Sequence, residues 1–197
     1  MPNIILASQS PRRQELLRRI GVEEFSVLVP HAEESCAPGL SPEETVAAIS
    51  RAKAQAAAAL CGADDILIAA DTMVFLDGQR LGKPSDEADA FRMLSALSGR
   101  EHAVCTGLTV RRGDRTVSAA ERTAVRFRPL TEAEIRAYVA TGEPMAKAGA
   151  YGIQDRGALL VEGIDGDFFN VMGLPVLRLA RILRTFGVDL LGGGGTV

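Results

Sequence analysis

Ile66-Leu67-Ile68-Ala69-Ala70-Asp71-Thr72-Met73-Val74-Phe75-Leu76 is apolar throughout except at Asp71 and Thr72. Ile66–Ala70 reads as a buried strand that ends at Asp71-Thr72. Met73–Leu76 continues extended, and Asp77-Gly78 is a turn signal. A carboxylate at the carboxyl end of a buried strand is a frequent seat of chemistry in α/β proteins. Asp71 is therefore a candidate to bind a metal or orient a water; a turn-forming aspartate that caps a nearby backbone group is the other reading.

Toward the N-terminus, Ser41-Pro42-Glu43-Glu44 is a capping box with proline at the first helical position, opening an alanine-rich helix to about Leu60. Phe25–Val29 reads as a strand. Residues 3–7 read as another, followed by a Ser8-Gln9-Ser10 turn and a helix from Pro11 to about Ile20, with Ser10 as its cap and Gly21 as its stop. Toward the C-terminus, Ser85 caps a helix carrying Phe91, Leu94 and Leu97 on one face, with Gly99 as its stop. Residues 102–111 and 115–127 form two strands around Arg112-Gly113-Asp114, a hairpin signal. Thr131-Glu132-Ala133-Glu134 is a second capping box, for a helix to about Thr141. A glycine-rich loop spans 148–157, Ala158–Ile164 reads as a strand, and a last helix runs from Pro175 to Phe186. Helices alternating with strands, interrupted by one hairpin, predict an α/β protein: a mixed β-sheet with flanking helices. No internal repeat or linker divides the chain. Residues 1–187 are expected to be one domain and 188–197 a flexible glycine-rich tail.

The chain has 197 residues, 47% hydrophobic and 24% charged, with a net charge of −3. That size buries a core without disulfides or structural metal. The acidic balance, two tyrosines, no tryptophan and no basic stripe argue against a nucleic-acid partner. Cys36, Cys61 and Cys105 are widely spaced and odd in number, the pattern of reduced thiols. With only His31 and His102, a histidine zinc site is disfavoured; a metal would be a hard cation held by carboxylates, Mg²⁺ or Mn²⁺. The first residues lack the pattern of a signal peptide, and no stretch approaches the roughly 20 apolar residues of a membrane span, so a cytoplasmic protein without a membrane partner is expected.

Other positions break local rules, as functional sites tend to. Arg12-Arg13 lie in the first turn of a helix, where the macrodipole is already positive and each cation costs roughly a few tenths of a kcal/mol. Two guanidinium groups with free backbone N–H groups make an anion site; two solvated surface arginines are the alternative. Lys53 sits within the apolar stripe Val46, Ile49, Lys53, Ala57, Leu60, where it either has a buried partner or snorkels from the edge. Lys147-Ala148-Gly149-Ala150-Tyr151-Gly152-Ile153-Gln154 lets a ligand approach the backbone, and Gln154 offers a donor and an acceptor to a base edge; a plain irregular connection is the other reading. Glu33-Glu34, just after a strand, and Lys83 in the turn Gly82-Lys83-Pro84 are further candidates or surface features.

Taken in order, these segments resemble the Maf family of nucleotide pyrophosphatases. Leu6-Ala7-Ser8-Gln9-Ser10-Pro11-Arg12-Arg13-Gln14-Glu15-Leu16-Leu17 is similar to its opening signature. Ala70-Asp71-Thr72-Met73-Val74, Leu81-Gly82-Lys83-Pro84, Leu97-Ser98-Gly99-Arg100-Glu101-His102, the 147–154 loop and Val171-Met172-Gly173-Leu174-Pro175 match its later blocks, covering about residues 3–187. The resemblance implies a fold like that of the inosine-triphosphate pyrophosphatases, two lobes around a cleft, and a cytoplasmic, metal-dependent homodimer. It implies a nucleoside triphosphate substrate cut between the α and β phosphates. Asp71 would be the general base and, with Glu34, a metal ligand. Lys53 and Lys83 would complete the catalytic set, and Ser8, Arg12, Arg13, Thr72 and Gln154 would bind the substrate and set its choice. The form of the 147–154 loop resembles the subfamily acting on dTTP and UTP, which implies those substrates, with modified pyrimidine nucleotides as a further expectation; the same chemistry on 7-methyl-GTP, preferred by the sister group, or on another modified nucleotide is the alternative within the family. A nucleotide-sensing regulator of septum formation, with no significant turnover, is the reading from another class.

Overall fold

The computed structural model describes residues 3–29 and 39–192. Along them run β1 (Ile4–Leu6), α1 (Pro11–Arg19), β2 (Ser26–Val27), α2 (Pro42–Ala58), β3 (Ile66–Leu76), β4 (Gln79–Leu81), α3 (Glu87–Leu97), β5 (Glu101–Arg112), β6 (Arg115–Phe127), α4 (Glu132–Val139), β7 (Val161–Asp165), α5 (Phe168–Met172) and α6 (Val176–Thr185). The strands form one sheet in the order β2-β1-β3-β5-β6-β7, with β4 on β3. β1 lies parallel to both β2 and β3, whereas β4 and β7 pair antiparallel with β3 and β6. The expected mixed sheet with flanking helices is thus the observed one.

The chain forms two compact units. The first comprises Met1–Asp71, Thr106–Glu121 and Gly173–Val197. Here α2 packs on β1 and β3 through small residues: Ala54 and Ala57, one helical turn apart, meet Ile5, Ala7, Leu67 and Ala69, which alternate along their strands. The backbones approach so closely at β5 that a Cβ on Gly107 would stand 1.9 Å from the Val46 carbonyl oxygen. The only side chain that fits there is a hydrogen. Beside it Ser50 Oγ shares a 2.8 Å hydrogen bond with Thr109 Oγ1, which shares another of 3.0 Å with Ser118. These three hydroxyls therefore satisfy one another inside the core.

The second unit comprises Thr72–Cys105 and Arg122–Met172. α3 and α4 pack together, presenting Ala90, Met93, Leu94 and Leu97 from one helix and Ile135, Tyr138 and Val139 from the other. The rings of His102, Phe127 and Tyr151 meet edge to face, with centroids 4.8 to 5.4 Å apart.

Several local expectations are corrected. β3 does not stop at Asp71-Thr72: it continues to Leu76, because Thr72 and the β-forming run after it suit a strand and the aspartate has an ion-pair partner (below). Asp86, not Ser85, caps α3, its carboxylate accepting from the Asp89 amide at 2.8 Å. Leu60 is 69% exposed, since α2 ends at Ala58 before that turn of the stripe is completed. Arg156–Leu160 is a 3₁₀ helix, and the strand begins only at Val161. The expected caps Ser10, Ser41 and Thr131 are all in place, the last two as full capping boxes. Residues 193–197 of the expected tail lie outside the described residues.

Candidate active site

Of the sequence candidates, the first unit carries Ser8, Arg12, Arg13, Lys53 and Asp71. β1 and β3 run parallel with Leu6 beside Ile68, and the Ala7 amide still donates to the Ile68 carbonyl at 2.8 Å. Ser8 therefore leaves β1 on the carboxyl side of this pair, the same side on which Asp71 follows Ile68 in β3. α1 starts immediately beyond, with Pro11 first and no acidic residue in its opening turn. Arg13 is held there: its Nε donates to the Gly173 carbonyl at 2.7 Å and its Nη1 to Ser8 Oγ at 2.9 Å. Ser8 Oγ also accepts from the Ser10 amide at 3.3 Å. The second arginine of the pair is thus a brace for the β1–α1 turn as well as a cation.

Lys53 and Asp71 solve each other's anomaly. Lys53 Nζ donates to Asp71 Oδ1 at 2.5 Å, with side-chain exposures of 17% and 9%. A lysine that interrupts the apolar stripe of α2 thus meets the aspartate that interrupts the apolar run of β3. Such a pair is a weak source of stability, because stripping water from two charges offsets most of their attraction. Its value lies in holding a charged carboxylate in a dry place. Asp71 Oδ2 is buried and accepts no hydrogen bond from any described residue. It is the one oxygen of the pair still open to a proton, a water or a cation.

The second unit carries Thr72, Lys83 and Gln154, and the chain passes into it directly from Asp71 to Thr72. The 147–154 loop and the Gly82-Lys83 turn are brought together, the Gly149 amide donating to the Gly82 carbonyl at 3.0 Å. A Cβ on Gly149 would press on the Val74 side chain at 3.0 Å, so the loop lies on β3 just past Thr72. Lys83 is exposed and Thr72 half-buried. Gln154 Oε1 is buried and accepts no hydrogen bond from a described residue.

Glu34, the second expected metal ligand, lies with Glu33, His31 and Cys36 outside the described residues. Sequence reasoning passed over Gly173 as the acceptor for Arg13, and over the groups that hold the 147–154 loop. Those groups include both tyrosines of the chain. Tyr151 Oη shares a 2.8 Å hydrogen bond with His102 Nε2. Burial pushes that phenol far up and holds the His102 imidazole at about 4, so both stay neutral at pH 7. The second phenol, Tyr138, donates to Glu143 Oε1 at 2.8 Å and is likewise pushed up by burial and that bond. The scarcity of tyrosine was the available signal.

The model of the family described as Maf-like protein matches residues 3–186. This chain belongs to the Maf-like family. Among its curated relatives, one from Symbiobacterium thermophilum is 50% identical over 195 residues, covering 98% of this chain and 99% of its own. Another, from Moorella thermoacetica, is 52% identical over the same shares, and one from Bacillus velezensis is 48% identical over 94% and 97%. Each of the three is named dTTP/UTP pyrophosphatase. Among solved structures, a HAM1 protein from Coxiella burnetii superposes with a TM-score of 0.51, covering 94% of this Maf-like chain and 100% of that one. At 16% identity that likeness speaks for the fold alone.

Proposed function

We propose that the chain hydrolyses dTTP and UTP between the α and β phosphates, giving the nucleoside monophosphate and pyrophosphate. The observation that carries this reading is Asp71: a buried carboxylate fixed on one oxygen by Lys53 and open on the other, in a chain about half identical to proteins named for that activity. A water attacks the α phosphorus in line with the departing pyrophosphate. Asp71 Oδ2 orients that water and accepts its proton, while Lys53 keeps the carboxylate aimed. Arg12, the α1 N-terminus and Lys83 neutralise charge on the phosphates, with Arg13 holding the Ser8 turn in shape and adding its own field.

An open, buried oxygen suits a hard cation. Among the described residues no group of three His, Cys, Asp or Glu could form a cage for one. Mg²⁺ or Mn²⁺ would be held by Glu34 and, where Oδ2 takes the cation in place of the water, by Asp71, together with phosphate oxygens, the usual arrangement for such ions. When bound it supplies charge neutralisation to the triphosphate and acidity to a coordinated water. Gln154 reads the base: thymine and uracil both present an N3–H donor flanked by carbonyl acceptors, and the open Gln154 Oε1 is an acceptor for that donor. Thr72 contributes a hydroxyl to the same choice.

The setting we propose is the cytoplasm, with the chain acting as a homodimer and without nucleic-acid or membrane partners. Cys61 and Cys105 are in no disulfide among the described residues, which suits a reducing compartment. No helix among the described residues is long and apolar enough to cross a membrane. Ile164, Phe168 and Phe169 stand exposed on and just after the edge strand β7, which supports a covered face.

The test is pyrophosphate release from dTTP, UTP, CTP, GTP and 7-methyl-GTP with Mg²⁺ or Mn²⁺. Release from dTTP and UTP, lost in Asp71→Asn, is expected. Release from 7-methyl-GTP alone would reassign the substrate. Nucleotide binding without release would turn the chain into a sensor rather than an enzyme.

A further inference from the structure

We propose that Glu143 is a positioning residue for base selection: its carboxylate, together with the Tyr138 hydroxyl, fixes both flanks of Gln154 and so the direction of that amide. This rests on the base-reading role given to Gln154 above. Glu143 follows Gly142, which turns the chain out of α4 with a φ of 74°, and opens a 3₁₀ turn, Glu143–Ala146. Its side chain is 12% exposed. Oε1 accepts from Tyr138 Oη at 2.8 Å and from the Gly157 amide at 3.2 Å, and Oε2 accepts from the Arg156 amide at 3.1 Å. Tyr138 Oη in turn accepts from the Gly152 amide at 3.2 Å. Gly152 precedes Gln154, and Arg156 and Gly157 follow it. One acid and one phenol therefore clamp the chain on either side of the glutamine.

The clamp leaves no room around it. A Cβ on Gly157 would stand 2.4 Å from the Gly152 carbonyl and 2.7 Å from Tyr138 Oη, and one on Gly152 would stand 2.5 Å from Lys147 Cε. Lys147 Nζ, for its part, donates to the Glu143 carbonyl at 2.7 Å. The loop also contains a strained residue, Ala150, buried at a φ of 61°. A side chain in the left-handed region costs about 1–2 kcal/mol and persists only where its surroundings over-determine it. Without the clamp the loop would relax, and a freed Gln154 would no longer present its acceptor in one place.

The chemistry at residue 143 has to be a carboxylate. Three donors converge on it, and a carboxylate has only acceptors to offer. Glutamine has the same shape but turns an NH₂ toward one of those donors. The full-length chain, as Glu143→Gln and as Tyr138→Phe, is compared with wild type in two measurements: steady-state hydrolysis of UTP and CTP, and hydrogen exchange at the amides of Arg156 and Gly157. In Glu143→Gln we expect kcat on UTP within about threefold of wild type, KM for UTP raised about tenfold, and the preference for UTP over CTP reduced about tenfold, with faster exchange at both amides. Tyr138→Phe, which keeps the bonds to Arg156 and Gly157 but removes the acceptor of the Gly152 amide, falls between, with faster exchange at Gly152, and carries the test if Glu143→Gln does not fold. Unchanged preference in a variant whose amides exchange faster would overturn the proposal. So would a parallel fall of kcat on both nucleotides at constant preference, which marks general damage. A wild type that does not prefer UTP to CTP would refute the base-reading role itself, and the positioning role with it, before any variant is examined.

Discussion

The Lys53–Asp71 pair and the 143–157 loop hold their functional groups in opposite ways. Lys53 and Asp71 stand on regular elements, α2 and β3, whose backbones are pressed together by small residues until Gly107 touches the helix. Their geometry follows from close packing, which is stiff. Gln154 stands on irregular backbone with a left-handed alanine, two 3₁₀ turns before it and one after it. Its geometry follows from hydrogen bonds to side chains that are not themselves reactive. On the roles proposed above, the difference teaches a division of labour: the part proposed to break the bond is built into the scaffold, and the part proposed to choose the base is built from a loop with a removable fastening.

Four changes would break or sharpen that contrast. Asp71→Asn is expected to have the largest effect, lowering kcat about 10³-fold on every accepted nucleotide, with a fall in melting temperature as well because Lys53 is left largely buried without its counter-charge. Gly107→Ala should cost about 3 kcal/mol in denaturant unfolding, because neither β5 nor α2 can yield at a 1.9 Å contact. Acid should act on the second unit. The native His102 titrates near 4 whereas an unfolded histidine titrates near 6.5, so the unfolded chain binds the extra proton between those values. This contribution to stability is complete above pH 6.5 and is lost as pH falls toward 4, at up to about 1.4 kcal/mol per pH unit. Unfolding curves of wild type and His102→Gln across that range should converge as the pH falls. Tyr151→Phe should have the smallest effect, about 1 kcal/mol, by removing the partner of His102 Nε2.

The strand–helix frame was legible because its signals are local. Ser41 with Glu44 and Thr131 with Glu134 announce helix starts within four residues, and the run from Ile66 to Leu76 announces a buried strand. The individual anomalies at Lys53 and Asp71 were legible too, as charges in apolar patterns. That they pair was not, because the contact joins residues from two elements through packing. Asp86 took the cap expected of Ser85, since two neighbouring residues both suit that position. The clamp around Gln154 was hidden for a deeper reason. Amides in irregular backbone carry no periodicity, and Glu143 looks in sequence like any solvated acid after a helix.

The division of labour is tested most directly by one pairing of variants, Asp71→Asn and Gln154→Ala, each assayed for pyrophosphate release from UTP and CTP. The structure leads us to expect that Asp71→Asn depresses both rates together and leaves their ratio intact, whereas Gln154→Ala collapses the ratio and largely spares kcat on UTP. A Gln154→Ala enzyme that keeps its preference for UTP, or an Asp71→Asn enzyme that keeps its rate, would contradict it.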